Sequence, residues 1–595
     1  MIRTPLRPLA RVIPARENGE NPDVIEAEER VKRTQVIHQK IRKRAEHRLT
    51  MLGLFFFLGF VTIGAKMATL AVSEPQEPRL AVADTGIHSQ RADIVDRNGS
   101  VLATNLVTTS LYAQPHMMIE PVKAAEKLAE IFPDLNHDKV LKQFTGKRKF
   151  VWVRKKVSPE QKQLVHDIGE PGLLFGPREM RLYPNGKLAA HILGGAGFGK
   201  EDVRAAELIG VAGVEKFFDE RMRDPAQVDT PLELSIDLTA QATMRRVVEG
   251  GMKLMKAKGA AAVLMDVHTG EIVSMVSLPD FDPNDRPTPL LTGDPSDSPL
   301  FNRAAQGVYE LGSTFKLFAA AVSLDKNLAN EDTMINTKGP IRWGKFKIRD
   351  FHNYGNQLSV TDVIVKSSNI GTARLAQAAG TDAQKEILED LGFFAPVPVE
   401  ISEAKRTKPL LPKNWSDLST MTISYGHGIA ATPLHLATAY ATLANGGYKV
   451  KPTLLKADAP TVHGEQVLKK TTSDSLMRML RAVVTRGTAS FGEVDGYHVG
   501  GKTGTADKPK PTGGYYDDKV IATFASAFPT HDPKYVLILT LDEPSIEAAG
   551  EERRTAGWTA VPVAAELVTR IAPVLNMRPE LAGSGQVEYT QAKHQ

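Results

Sequence analysis

The chain has no cysteine among its 595 residues. A disulfide framework, a thiolate metal site and a cysteine nucleophile are therefore excluded, and the absence is compatible with an oxidising compartment. Beyond residue 50 there is also no net charge. Residues 1–50 carry 12 Lys/Arg against 7 Asp/Glu, which is the whole of the chain's +5 with histidine neutral, and the remainder holds 62 of each sign. A nucleic-acid-binding domain carries its own basic face, so no nucleic-acid partner is expected. No internal repeat is visible. The length points to several domains of roughly 150 residues each. Hydrophobic content of 42% and charged content of 24% suffice for a sizeable core and exclude wholesale disorder.

Charge is missing altogether from "LTMLGLFFFLGFVTIGA", Leu49–Ala65. A bilayer span needs ~20 mostly apolar residues. The span reaches that length by continuing to Val72, with Lys66 snorkelling at its outer end. A buried core helix is rarely apolar on every face, as Phe55, Phe56 and Phe57 make this one. A signal peptide starts with a short charged segment, whereas 48 residues precede this run. An uncleaved anchor is expected. The basic stretch before it, "VKRTQVIHQKIRKRAEHR", puts the N-terminus in the cytoplasm and everything after Val72 outside the inner membrane.

"SEPQEPRL", Ser73–Leu80, reads as a linker. A mixed region follows to Pro231, with strand-like runs "SLYAQ" and "FVWVRKKV" and a helical stretch Pro121–Phe132. Within it, Asp96-Arg97-Asn98-Gly99 predicts the turn of a hairpin-like element. From Leu232 a strand is followed by a helix opened by Asp237 or Thr239. "GAAAVLMDVHTGEIVSMVSLP" reads as an antiparallel hairpin turning at Gly270. "KYVLILTLDEP" is apolar throughout, as a central, doubly covered strand is. Strands at both ends with helices between predict an α+β fold, an antiparallel sheet covered by helices. The expected organisation is a cytoplasmic tail (1–48), an anchor (49–72), a first domain (73–231), a second domain (232–575) and a disordered polar tail (576–595).

Three short groups carry chemistry. In "YELGSTFKLF", Ser313 and Lys316 are spaced i, i+3, one face of a helix. Serine is a weak nucleophile that needs a base, and a lysine with a depressed pKa can serve. Alone, the pair is more often a helix cap beside a solvated lysine. "VKSSNIGTARLA" sets Ser367, Ser368 and Asn369 at the head of a helix, alone another cap. "HVGGKTGTA" holds Lys502, Thr503, Gly504 and Thr505, alone a Gly-rich turn or a bulged strand. Together and in this order they match a Ser-x-x-Lys, Ser-x-Asn, Lys-Thr-Gly set.

With these motifs the chain resembles the class B penicillin-binding proteins, peptidoglycan D,D-transpeptidases, from the anchor to about Leu575. "RADIVDRNGSVLA", "RLYPNGKLAAHILGGAG" and "GVAGVEKFFD" are similar to their non-catalytic domain. "LELSIDLTAQ", "YGHGIAATPLHLATAYATLANGG" and "AGWTAVPVAAEL" are similar to their transpeptidase domain. The resemblance implies a serine penicillin-recognising fold and an acyl-enzyme on Ser313. It implies Lys316 as base, Ser367 as proton relay and Asn369 as the group orienting Lys316 and the substrate amide. Lys502 would keep Lys316 neutral and attract the substrate carboxylate, to which Thr503 and Thr505 would hydrogen-bond beside Gly504. The N–H groups of Ser313 and Thr505 would form the oxyanion hole. The implied partners are D-Ala-D-Ala stem peptides, β-lactams, a membrane glycosyltransferase and small division-complex membrane proteins.

The tail and the blocks "YELGSTFK" and "RADIVDRNG" resemble the septal subgroup, with Leu311 where Pro is usual and Ala92 where Gly is usual. The alternatives are an elongation-type enzyme and a scaffold with vestigial activity. A dedicated deacylating Glu is not identifiable, against a β-lactamase, and the region before Leu232 lacks acidic glycosyltransferase signatures. No cofactor and no metal are expected. "GGAGFGKE" ends in Glu201 where a phosphate loop needs Ser or Thr, and His427 and His435 lie eight apart without a zinc spacing.

Overall fold

The computed structural model describes residues 9–72, 91–198, 208–457, 464–510 and 512–580. The expected linker, Glu201 of the glycine-rich loop and most of the polar tail lie outside them. The chain divides into two compact units, residues 1–88 and 89–595.

In the first unit one continuous helix, α1 (Pro22–Val72), contains both the basic stretch and the apolar run. Among the described residues it is the one helix long and apolar enough to cross a membrane. Its apolar side chains are exposed, Phe55 at 73% and Phe60 at 71%, which suits a hydrocarbon surrounding and not water.

The second unit opens with a small sheet: β1 (Ile94–Val95), β2 (Val101–Ala113), β3 (Val151–Val157), β4 (Leu173–Leu182) and β5 (Leu232–Glu233). β2 pairs antiparallel with β1, β3 and β4, and β1 pairs parallel with β5. The helix α2 (Pro121–Ile131), at the predicted position, covers it through Ala124, Ala125 and Leu128. Asp96 makes the predicted turn: its Oδ1 accepts from the N–H groups of Asn98 and Ser100. Its Oδ2 accepts from the N–H of Leu238, the first residue of α3 (Leu238–Leu254). Asp237, and not Thr239, caps α3 by accepting from Ala240. Two acidic side chains thus meet one helix N-terminus, where its dipole favours them. The expected boundary at 231/232 runs through this sheet. Ile94, Leu102 and Leu232 belong to the same buried core as Ala260–Met265 and Val536–Leu539 of the larger sheet.

The larger sheet holds β6 (Gly259–Asp266), β7 (Ile272–Leu278), β8 (Gly500–Pro509), β9 (Tyr515–Phe528) and β10 (Tyr535–Asp542). Its order is β8–β9–β10–β6–β7, every pair antiparallel. β10 is central and buried along nearly its whole length, as its unbroken apolar run predicts. β8 is an edge strand. Its register with β9 is regular from Gly500 to Asp507 and bulges only beyond, so Lys502–Thr505 lie in straight strand. The helix α4 (Lys316–Asp325) is buried on nearly every face and packs against α5 (Asn369–Ala379), while the sheet is covered by α3, α6 (Pro433–Ala444), α7 (Lys470–Arg486) and α8 (Ala560–Ile571).

Candidate active site

The turn that carries Ser313 is a short 3-10 segment, Gly312–Phe315, leading into α4. The residue in the cap position is Leu311, and no side chain caps the segment. Ser313 is therefore not a cap, and its hydroxyl is not committed to the helix. It is half-buried, whereas Thr314, Phe315 and Lys316 behind it are buried. Two close backbone approaches and one side-chain hydroxyl hold the turn. Gly312 has φ +55, and a Cβ there would lie 2.8 Å from Thr505 O. A Cβ on Gly426 would lie 2.0 Å from Gly312 O. The Tyr440 hydroxyl donates to Thr314 O at 2.9 Å from α6. Only glycines permit the first two approaches.

Lys316 is 1% exposed and Lys502 is fully buried. Both reach one hydroxyl: Lys316 Nζ is 2.9 Å and Lys502 Nζ 3.0 Å from Ser367 Oγ. Ser367 Oγ thereby links the first and third motifs, which the sequence separates widely. Burial and the charge of Lys502 push the Lys316 ammonium well below the usual lysine range, with Asp350 acting weakly in the opposite sense. Burial alone lowers Lys502 to about 7. Two like charges on one hydroxyl favour a single shared charge, the condition in which one amine can accept a proton.

The two adjacent serines divide the labour. Ser368 is the cap of α5: its Oγ accepts from Gly371 N at 2.9 Å and donates to Asp350 Oδ2 at 2.7 Å. Ser367 sits at φ +59, a sparsely populated region for a residue with a side chain. That conformation turns both its carbonyl and its hydroxyl onto Lys316. Asn369 Nδ2 donates to Arg349 O at 2.9 Å. The hydrogen bonds of Lys316 go to Ser367, so the expected orientation of Lys316 by Asn369 is not what the geometry displays.

On β8, Thr503 Oγ1 pairs with Thr488 Oγ1 at 2.7 Å, and Thr505 Oγ1 accepts from Ala556 N at 3.0 Å. Each hydroxyl keeps capacity for a further bond. Gly504 has a steric reason: a Cβ there would lie 2.2 Å from Leu311 O. Leu311 is buried at φ −92, and its carbonyl also accepts from Thr314 Oγ1. Ala92 is likewise buried and needs no positive φ.

Asp350, Thr488, Tyr440 and Gly426 were not singled out from the sequence, because their importance lies in long-range contacts. His427 stands at the mouth, its Nδ1 3.2 Å from Glu310. His435 is structural, boxed with Thr432 at the start of α6.

A family model described as the penicillin binding protein transpeptidase domain matches residues 260–567, and one described as the penicillin-binding protein dimerisation domain matches residues 86–228. A Caulobacter vibrioides protein described as a probable peptidoglycan D,D-transpeptidase FtsI is 34% identical over 547 residues, 89% of either chain. The peptidoglycan D,D-transpeptidase FtsI of Escherichia coli is 28% identical over 90% of this chain and 92% of its own. Penicillin binding protein 3 of Mycobacterium tuberculosis, in a crystal structure with aztreonam, superposes with a TM-score of 0.62 at 24% identity. The match covers 82% of this chain and 97% of that one, and is a likeness of fold.

Proposed function

The chain belongs to the penicillin-binding transpeptidase family, and we propose that it is a peptidoglycan D,D-transpeptidase that cross-links stem peptides through an ester on Ser313 during septal wall synthesis. The observation that carries this reading is the meeting of two buried lysines on Ser367 Oγ, with Lys316 one turn along the chain from half-buried Ser313.

Lys316, neutral in the productive state, takes the Ser313 proton. Ser313 Oγ bonds to the carbonyl carbon of the penultimate D-Ala. The N–H groups of Ser313 and Thr505 receive the oxyanion, in most acyl transfers the largest single stabilising effect. Gly312 supports that role by bringing the two backbones together. As the C–N bond breaks, the proton passes through Ser367 Oγ to the leaving nitrogen. Lys502, Thr503 and Thr505 hold the terminal carboxylate until D-Ala departs. Asn369 serves the substrate amide through Oδ1, its Nδ2 being engaged with Arg349. The amine of a second stem peptide then attacks the ester, returns its proton along the same groups and frees Ser313. A β-lactam acylates Ser313 by the first half of this sequence.

Residues 49–72 anchor the chain once in the inner membrane, with the N-terminus in the cytoplasm and the catalytic domain outside. Residues 73–231 form the non-catalytic domain, 232–575 the transpeptidase domain and 576–595 a tail. The partners are a membrane glycosyltransferase and small division-complex proteins. Fluorescent penicillin should label the native chain and not Ser313→Ala. Unchanged labelling of that variant overturns the nucleophile. Depletion in cells should give filaments, and round cells would assign the enzyme to elongation.

A further inference from the structure

Just before the start of β8, three side chains from three separate segments converge. His498 stands four residues before Lys502, His531 follows β9, and Glu580 lies near the end of the described chain. His498 Nε2 is 3.2 Å from Glu580 Oε2, and His531 Nε2 is 3.1 Å from Glu580 Oε1. All three ligand atoms fall within 4.8 Å of one another. The imidazole rings are 5.0 Å apart at 87°, so neither blocks the other's nitrogen.

We propose that His498, His531 and Glu580 form a divalent transition-metal site of the zinc class, which ties the C-terminal segment to the start of the lysine-bearing strand. Zinc takes imidazole nitrogen and carboxylate oxygen at ~2.0–2.1 Å, and the edge of such a tetrahedron is about 3.3 Å. Each histidine faces a different oxygen of Glu580, at 3.2 Å and 3.1 Å, and a small rotation of the exposed side chains brings one carboxylate oxygen and both nitrogens to that spacing. Three protein ligands leave a fourth position for water. Two nitrogens and one oxygen suit zinc, with nickel and copper as chemical relatives.

The backbones beneath the ligands are fixed independently of them. Glu580 N donates to Gly496 O at 2.8 Å. The His498 carbonyl accepts both the N–H and the hydroxyl of Thr530, each at 3.1 Å. His498 is held at φ +44, a conformation that a residue with a side chain adopts only when its surroundings enforce it. A Cβ on Gly496 would lie 2.7 Å from Pro579, so the terminal segment is packed down and not merely nearby. Exposed ion pairs alone contribute little to stability, which does not account for three converging segments. The side chains are 39%, 48% and 60% exposed, which leaves an entry path for a hydrated ion. In the bound state each ring offers its Nε2 lone pair to the ion and carries its proton on Nδ1, the ordinary tautomer of a metallated histidine.

The test uses the untagged full-length chain in detergent, stripped with EDTA and dialysed against Zn²⁺. Metal analysis should find a single equivalent per chain, and thermal unfolding should move upward with Zn²⁺. The double variant His498→Ala, His531→Ala, checked for folding by circular dichroism, should lose both the metal and the shift. Glu580→Gln, at the exposed edge, should bind more weakly and keep its fold if the double variant does not. Co²⁺ in the native chain should give the visible bands of a four-coordinate site. Equal zinc content and equal thermal shifts in native and variant chains, or no retained metal in the native chain, overturn the proposal.

Discussion

Ser367 holds Lys316 twice: its hydroxyl lies 2.9 Å from Nζ and its backbone carbonyl accepts from the same nitrogen. Ser367→Ala removes the hydroxyl and leaves the carbonyl, so the lysine stays while the relay is cut. Acylation by fluorescent penicillin should slow by about 10²–10⁴-fold, the usual worth of a positioned proton-transfer group. The melting temperature should stay near that of the native chain. Acylation at the native rate would remove Ser367 from the relay.

Lys502, lowered to about 7 by burial, gives a pH signature with a definite sign. Between about 7 and the unfolded value of 10.5 the unfolded chain binds the extra proton. Stability from this group therefore rises with pH across that window, and below about 7 both states are protonated and its contribution is flat. Urea unfolding at several pH values should show that rise in the native chain and a smaller one in Lys502→Met. Activity runs the other way: acylation should fall above pH ~7 as the charge that attracts the carboxylate is lost. Lys502→Arg should carry the alkaline limb upward, and an unmoved limb would assign it to another group.

Gly504→Ala puts a methyl group against Leu311 O. The edge strand must retreat from the nucleophile turn, and a displacement of about 1 Å costs on the order of 10²-fold in rate. The variant should fold, because β8 has a free edge, yet acylate slowly. Native kinetics would mean that the strand and the turn do not set each other's spacing.

Tyr440→Phe leaves the Thr314 carbonyl buried without its donor, at a cost of about 1–3 kcal/mol. Denaturant unfolding should register the loss. Since the hydroxyl supports the Ser313 turn from behind, a fall in acylation should accompany it.

The candidate motifs were legible because they are written in local spacing: i, i+3 for Ser313 and Lys316, a fixed triplet at Lys502. The strands were legible for the same reason, since β10 announces itself by an unbroken apolar run. Roles that depend on distant contacts were not. Nothing local distinguishes Ser367 from Ser368, yet one enters the site and the other caps α5. Asp350 lies in an unremarkable segment and matters through Ser368 and Ile370 N. The cap role first open to Ser313 fails because the chain enters α4 through a 3-10 turn. The orientation of Lys316 fell to Ser367, through a left-handed backbone that no motif announces.

The pairing of Ile94 with Leu232, and of Asp96 with the start of α3, has a mechanical meaning. A tug on the chain where it enters this unit loads hydrogen bonds to the segment that leads into the catalytic sheet, with no slack linker between. Tension there is carried into the interior along strands and a helix axis, and is not absorbed by a loop.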